Sequence, residues 1–289
     1  MVFMKNSTPQ LAWQAGRFVL DLQQPRIMGI VNCTPDSFSD GGQFADSASA
    51  IAQCERLVAE GADILDIGAE STRPGAVPLS LVQELQRLEP VVKAAVSMGV
   101  AVSVDTYKPA VMQAVLDWGA DIINDVWALR QAGAAQVLQA HPQAGVVLMH
   151  MHRQPQDMQI QPMQGDVRAA VHDFFAQRLA DLAALQGVDA SAPPRLCLDV
   201  GIGFGKTVAQ NFALTRDLQH FADFGLPLLM GWSRKSSLGA ITGLDVGQRL
   251  APSLAAALLS VQQGAHIVRV HDVGQTRAAL QVLQAVQGA

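Results

Sequence analysis

The stretch Gly61-Ala62-Asp63-Ile64-Leu65-Asp66-Ile67-Gly68-Ala69-Glu70 decides the fold. Its Gly-Ala-polar opening follows the helical segment 48–60, where glycine suits the left-handed residue that ends a helix. The apolar run 64–67 then reads as a buried strand, and the strand runs out into Glu70-Ser71-Thr72-Arg73-Pro74-Gly75. The same opening recurs at Gly119-Ala120-Asp121 and Gly264-Ala265-His266, ahead of further apolar runs. Working outward, candidate strands centre on 28–31, 64–67, 102–104, 122–123, 146–149, 196–198, 228–230 and 267–270. Helical segments such as 48–60, 79–98, 110–118, 167–186 and 253–263 lie between them. Strands alternating with helices predict a parallel sheet with crossover helices. Eight such units can close a single-domain (β/α)₈ barrel; a doubly wound open sheet of this size more often has fewer strands. Residues 17–22 look like an extra strand outside the cycle, and segment 1–26 is expected to close the barrel bottom beneath a barrel of 27–289. Residues 153–165 read as one long loop.

Composition narrows the function classes. The 289 residues are 49% hydrophobic and 16% charged, ample for a large core and wrong for a disordered chain. A net charge of -5 gives no nucleic-acid surface, so a bound anion has to be held by local groups. Cys33, Cys54 and Cys197 are widely spaced and form no CxxC pair, as expected of a cytoplasmic protein without a disulfide framework or zinc site. The amino-terminal stretch lacks the long apolar run of a secretory signal, and the run around 254–261 is too short to span a bilayer.

The residues just past each strand carry the chemistry. In order they are Asn32-Cys33-Thr34-Pro35-Asp36, Glu70 to Gly75, Asp105-Thr106, Asn124-Asp125, His150, Asp199, Ser233-Arg234-Lys235-Ser236, and Arg269 with His271. Barrel enzymes build their sites at these carboxyl ends. Loop polarity and helix capping account for single positions such as Thr34, Thr106 and Asp125. They account poorly for Asp, Arg, Lys and His at the ends of so many apolar strands, because a buried charge needs a partner. In Arg269-Val270-His271 the strand period of two puts guanidinium and imidazole on one side, a suitable phosphate clamp. Ser233 and Lys235 are related in the same way if the seventh strand stays extended that far. Gly203-Phe204-Gly205-Lys206 lacks P-loop spacing and reads as a tight turn. The alternating His150 and His152 have no third clear ligand, which favours a packed strand end with hydrogen-bonded imidazoles over a metal site.

Seven of these segments together closely resemble the dihydropteroate synthase family: GIVNCTPDSFSDGG, GADILDIGAESTRPGA, VSVDT, IINDV, LDVGIGFGK, GWSRKSSLG and IVRVHDV. The resemblance covers nearly the whole chain from Ile27. It implies a (β/α)₈ barrel that joins p-aminobenzoate to 6-hydroxymethyl-7,8-dihydropterin diphosphate with Mg²⁺, releasing 7,8-dihydropteroate and pyrophosphate, and it implies a homodimer. Carried over by residue, it implies that Asp105, Asn124, Asp199, Lys235 and Met149 bind the pterin. Asn32, Thr72, Arg73, Arg269 and His271 would face the diphosphate, with Asn32 also the Mg²⁺ ligand. Phe38, Pro74, Phe204, Ser233 and Ser236 would hold the arylamine, in part through loops 34–42 and 71–75. Asp105, Lys235, Arg269 and His271 would be catalytic. Phe38 and Pro74 together imply sulfonamide sensitivity. Two departures stand out: Val200 where the family usually has proline, and Cys33 where valine is common. The rival readings are a pterin-binding methyltransferase domain, which has no diphosphate to hold, and a catalytically silent pterin-binding protein.

Overall fold

The computed structural model of the chain describes residues 11–33, 42–70, 78–153, 160–183 and 194–288. Eight parallel strands close a barrel in sequence order: β3 (Arg26–Asn32), β4 (Ile64–Gly68), β5 (Ala101–Asp105), β6 (Ile122–Asp125), β7 (Gly145–Met149), β8 (Leu196–Asp199), β9 (Leu228–Met230) and β10 (Ile267–Val270), with β10 pairing back to β3. Around them lie α1 (Gly42–Ala59), α2 (Leu81–Ala95), α3 (Pro109–Asp117), α4 (Ala134–Ala140), α5 (Val167–Ala183), α6 (Val208–Arg216), α7 (Ser236–Thr242), α8 (Leu250–Gln262) and α9 (Val273–Gln287). The closed barrel replaces the open-sheet alternative.

The Gly-Ala-polar triplets work as a repeated joint. Gly61, Gly119 and Gly264 all adopt the left-handed conformation expected after a helix, with φ of 95°, 99° and 99°. The third residue of each triplet then closes a seam between neighbouring strands. Asp63 Oδ2 accepts the Ile27 N–H at 2.8 Å, Asp121 Oδ2 the Val102 N–H at 2.9 Å, and His266 Nδ1 the Leu228 N–H at 3.1 Å. Each polar residue satisfies a strand-start donor that has no ladder partner.

Before the barrel the chain forms an antiparallel hairpin of β1 (Ala12–Ala15) and β2 (Phe18–Asp21), not the single extra strand expected at 17–22. The first strand, AWQA, has too little apolar alternation to announce itself. Trp13 is fully buried beneath the barrel with Ala15 and Leu22, packing on Met28, Ile64, Ala101, Ile122, Val147, Cys197, Leu229 and Ile267. The hairpin turns at Gly16 (φ 60°), where an added Cβ would lie 2.5 Å from the Asp121 carboxylate. Asp121 also accepts the Arg17 backbone N–H and both Nε and Nη2 of its guanidinium.

That buried layer sets the height of the polar residues above it. Side chains two residues further along share the same face of a strand. Ile64 is thus followed by Asp66, Ala101 by Ser103 and Asp105, Ile122 by Asn124, Cys197 by Asp199, and Ile267 by Arg269. The barrel interior therefore changes from apolar to ionisable within one period of the pleat.

Candidate active site

The polar layer opens into a pocket lined by Asp105, Asn124, Val126, Met149, Asp199, Ile202, Phe204, Gly231, Lys235 and Arg269. Five barrel strands and the loops after β6, β8 and β9 supply them. All five residues expected to bind a pterin meet there, together with Phe204 and Arg269.

Charge is concentrated in this small volume. Arg269 donates from Nε to Asp66 Oδ2 at 2.5 Å and from Nη2 to Asp105 Oδ2 at 3.0 Å. Asn124 Nδ2 donates to Asp66 Oδ2 at 3.1 Å, and Ser103 Oγ to Asp66 Oδ1 at 2.6 Å. Burial pushes the Asp105 carboxyl up to about 7; Arg269 opposes this, while Asp66, Asp125 and Glu84 add to it. Burial likewise raises Asp199, against the Gly201 N–H, Lys235, Arg269 and Lys206. Burial, with Arg269 beside it, pulls Lys235 down to about 8, although Asp199 and Asp105 pull the other way. An acid and a base near neutrality in one cleft mark a site built for chemistry.

Lys235 does not arrive by strand alternation. Strand β9 ends at Met230, and Lys235 N–H donates to the Trp232 carbonyl across a turn. Arg234 takes a left-handed φ of 60° there, an uncommon conformation for a residue with a side chain. Asp272 holds its guanidinium at 2.6 Å, and Ser253 Oγ accepts its backbone N–H. The Lys235 ammonium then lies 4.3 Å from the centre of the Phe204 ring.

The loop after β8 carries Phe204. Gly201, Gly203 and Gly205 all have left-handed φ, and a Cβ on Gly201 would overlap the His150 carbonyl. Lys206 holds the loop from inside: its ammonium donates to the carbonyls of His150 (3.2 Å), Gly201 (2.8 Å) and Phe204 (3.2 Å). Burial pulls this ammonium down to about 7 against the attraction of Asp199, with Lys235 adding to the fall. Val200 is fully buried, and Asp199 Oδ1 accepts the Gly201 N–H at 2.8 Å, so the departure from proline leaves the carboxylate facing the pocket.

The remaining expected residues are more scattered. Ser233 pairs with His271, its Oγ accepting the His271 backbone N–H at 3.1 Å and lying 2.9 Å from Nδ1. Neither lines the pocket. Ser236 begins α7 and is exposed, and Asn32 is the exposed last residue of β3. Phe38, Thr72, Arg73 and Pro74 lie outside the described residues. Burial drives the Cys33 thiol up to about 12, which makes it a packing residue and no nucleophile. His150 packs edge-on to Phe174 with ring centres 4.9 Å apart, but its Nδ1 is buried without a hydrogen-bond partner, which corrects the expectation of a hydrogen-bonded ring. Sequence reasoning missed Asp66, a lone carboxylate inside an apolar strand, and read Lys206 only as part of a turn.

Comparison with known proteins agrees with this geometry. Residues 28–271 match the family described as pterin binding enzyme. The dihydropteroate synthase of Neisseria meningitidis serogroup B is 48% identical over 280 residues, covering 95% of this chain and 97% of that one. A structure of Xanthomonas albilineans dihydropteroate synthase with 4-aminobenzoic acid superposes with a TM-score of 0.88 at 46% identity, covering 97% of this chain and 99% of the other. That of Burkholderia cenocepacia dihydropteroate synthase with 7,8-dihydropteroate gives 0.86 at 44% identity, covering 98% of each. With the barrel, the pocket and these relatives in agreement, the chain belongs to the dihydropteroate synthase family of pterin-binding enzymes.

Proposed function

We infer that the chain joins p-aminobenzoate to 6-hydroxymethyl-7,8-dihydropterin diphosphate, giving 7,8-dihydropteroate and pyrophosphate. The observation that carries this reading is the pocket itself, in which acceptors from Asp105, Asn124 and Asp199 converge beside the cations Lys235 and Arg269. A 2-amino-4-oxo pterin edge offers several N–H donors and one carbonyl. Asp199 receives two of the donors as a fork, Asn124 and Asp105 meet other ring nitrogens, and Lys235 donates to the carbonyl side. Met149 packs on the ring. An analogue lacking one of these polar groups leaves a buried partner unpaired, at a cost of about 1–3 kcal/mol.

Arg269 and His271 receive the diphosphate, joined by Thr72 and Arg73. Their charge stabilises the departing pyrophosphate, and electrostatic stabilisation of this kind carries most of the catalysis. The C–O bond breaks, Asp105 stabilises the positive charge that develops on the exocyclic carbon, and the arylamine nitrogen forms the new C–N bond and loses a proton. Phe204, Phe38 and Pro74 wall the arylamine ring, and Ser233 and Ser236 meet its carboxylate.

Mg²⁺ fits the donor set. Among the described residues no three His, Cys, Asp or Glu side chains form a metal cage, and Asn32 offers one exposed amide oxygen at the barrel mouth. A magnesium ion that keeps its waters and takes phosphate oxygens from the substrate needs no more from the protein. Bound there, it would neutralise diphosphate charge. A homodimer is supported by the exposed apolar residues Leu259 on α8 and Val282 and Val286 on α9. Three free, buried cysteines support a cytoplasmic location.

The test is pyrophosphate release from the protein with Mg²⁺, p-aminobenzoate and the pterin diphosphate. Release that requires the pterin diphosphate, turns over with p-aminobenzoate and stops on chelation is expected; release strictly dependent on p-aminobenzoate would count against departure of the pyrophosphate before attack. A protein that binds the pterin diphosphate and releases nothing would be a silent binding protein, and one that transfers a methyl group from a reduced folate would be the methyltransferase. The cations beside the pocket disfavour the latter. Sedimentation as a monomer at micromolar concentration would exclude a stable dimer.

A further inference from the structure

Asp66 has no exposed surface and lies in the middle of β4, beneath the pocket. A carboxylate at this depth is costly unless several donors satisfy it. Its partners are Ser103, Asn124 and Arg269, and two of those three line the pocket.

We propose that Asp66 is a positioning residue that sets the hydrogen-bonding polarity of the pocket floor. A carboxylate ion-paired with Arg269 only accepts, so the Asn124 carboxamide has to turn its NH₂ toward Asp66. Its oxygen is then left for the pocket, where an N–H of the bound ring needs an acceptor. The same carboxylate fixes Arg269. A guanidinium has five N–H donors, and Nε and Nη2 are tied to Asp66 and Asp105 along one edge. The donors that remain, mainly on Nη1, are thereby aimed as a set. One buried charge thus fixes the acceptor that reads the ring and the donors that receive the leaving group. This rests on the assignment of Asn124 to the pterin and Arg269 to the diphosphate.

The test is the isosteric variant Asp66→Asn. Its NH₂ competes with that of Asn124, and either amide can flip. Efficiency (kcat/KM) for the pterin diphosphate is expected to fall on the order of 100-fold, the scale of about 3 kcal/mol. The KM for p-aminobenzoate at saturating pterin diphosphate is expected to stay within about twofold, well under 1 kcal/mol. The exchange Asp66→Asn with Asn124→Asp moves the charge from β4 to β6. The new amide NH₂ at position 66 then donates to the new carboxylate at position 124, whose second oxygen still faces the pocket, while the Arg269 Nε–H loses its carboxylate acceptor at position 66. It is expected to recover about tenfold of the loss, a return of about 1.4 kcal/mol. A merely structural role would lower efficiency for both substrates alike, with no recovery in the exchange, and that result overturns the proposal. So does a folded Asp66→Asn with normal pterin efficiency. If Asp66→Asn does not fold, Ser103→Ala replaces it, because it frees one carboxylate oxygen and keeps the charge. A several-fold rise in pterin diphosphate KM is then expected, and an unchanged value overturns the proposal. Absence of pyrophosphate release by the unsubstituted protein would strike the functional reading; normal release with indifferent Asp66 variants would strike this proposal alone.

Discussion

Replacing Lys206 with methionine keeps the aliphatic stem and removes the three donors that hold the 201–205 loop. The carbonyls of His150, Gly201 and Phe204 each lose a partner at 2.8–3.2 Å. A carbonyl has a second lone pair, so the low end of the penalty applies, about 1 kcal/mol each and about 3 in all. Against this stands relief from burying an ammonium. The fall in pKa from 10.5 to about 7 gives an upper bound of roughly 5 kcal/mol at about 1.4 kcal/mol per unit. The two contributions nearly cancel, and overall stability is expected to change by less than about 3 kcal/mol, or roughly 10 °C in Tm. The untied loop is a different matter, because Phe204, which we assign to the wall of the arylamine site, has to be ordered again each time p-aminobenzoate binds. A local ordering cost of about 1.4–2.8 kcal/mol raises the KM for p-aminobenzoate about 10- to 100-fold. The assay is pyrophosphate release with each substrate varied at saturation of the other, paired with a thermal melt. An unchanged p-aminobenzoate KM in a folded variant would refute the reasoning, as would a collapse in Tm that takes both substrates with it.

Three further outcomes are expected. Burial pulls His150 from 6.5 down to about 2, with help from Lys206, His152 and Arg130. Below pH 6.5 the unfolded chain takes up a proton that the folded chain refuses, so this residue lowers stability by about 3 kcal/mol between pH 6.5 and 4.5. Urea unfolding at both pH values is expected to show a smaller difference for His150→Phe, and an equal difference would contradict the assignment. Asp121→Ala leaves the buried Val102 N–H without an acceptor and releases the half-exposed Arg17 guanidinium to water, a cost of about 1–3 kcal/mol. Both KM values are expected to stay unchanged, and a shift in either would show that the two ends of the barrel are coupled. A sulfonamide analogue of p-aminobenzoate is expected to compete with it; full activity at micromolar drug would remove the arylamine from the Phe204 wall.

What the sequence revealed followed from interactions that are local along the chain. The Gly-Ala-polar triplets encode a helix stop, a seam cap and a strand start within four residues, so the strand-helix cycle was legible. Strand-end residues such as Asp105, Asn124 and Asp199 were legible because the pleat fixes their direction once the strand is known. Closure of the barrel is not local, and it was the family resemblance that favoured it over an open sheet. The partners of Asp66 were hidden for the same reason: its ion pair with Arg269 spans 203 positions. Lys206 looked like part of a turn because its acceptor at His150 lies just past β7, 56 positions earlier. Strand alternation relates Ser233 and Lys235 only if the seventh barrel strand extends that far, and β9 ends at Met230. A turn sets the direction of Lys235 instead.

The cations of the pocket sit deep among carboxylates, inside a chain whose net charge is -5. Seen from a distance, the molecule repels the two anions we assign to it; only at the mouth does the local field of Arg269 and Lys235 turn attractive. Ordinary electrostatic steering speeds capture at low ionic strength. Here the long-range contribution has the opposite sign, and salt within the Debye range screens the repulsion before it reaches the recessed cations. Association of the pterin diphosphate is therefore expected to quicken with the first additions of an inert salt and to slow only when the pocket itself is screened. The depth of the polar layer thus governs how the enzyme meets its substrate as well as what it does with it.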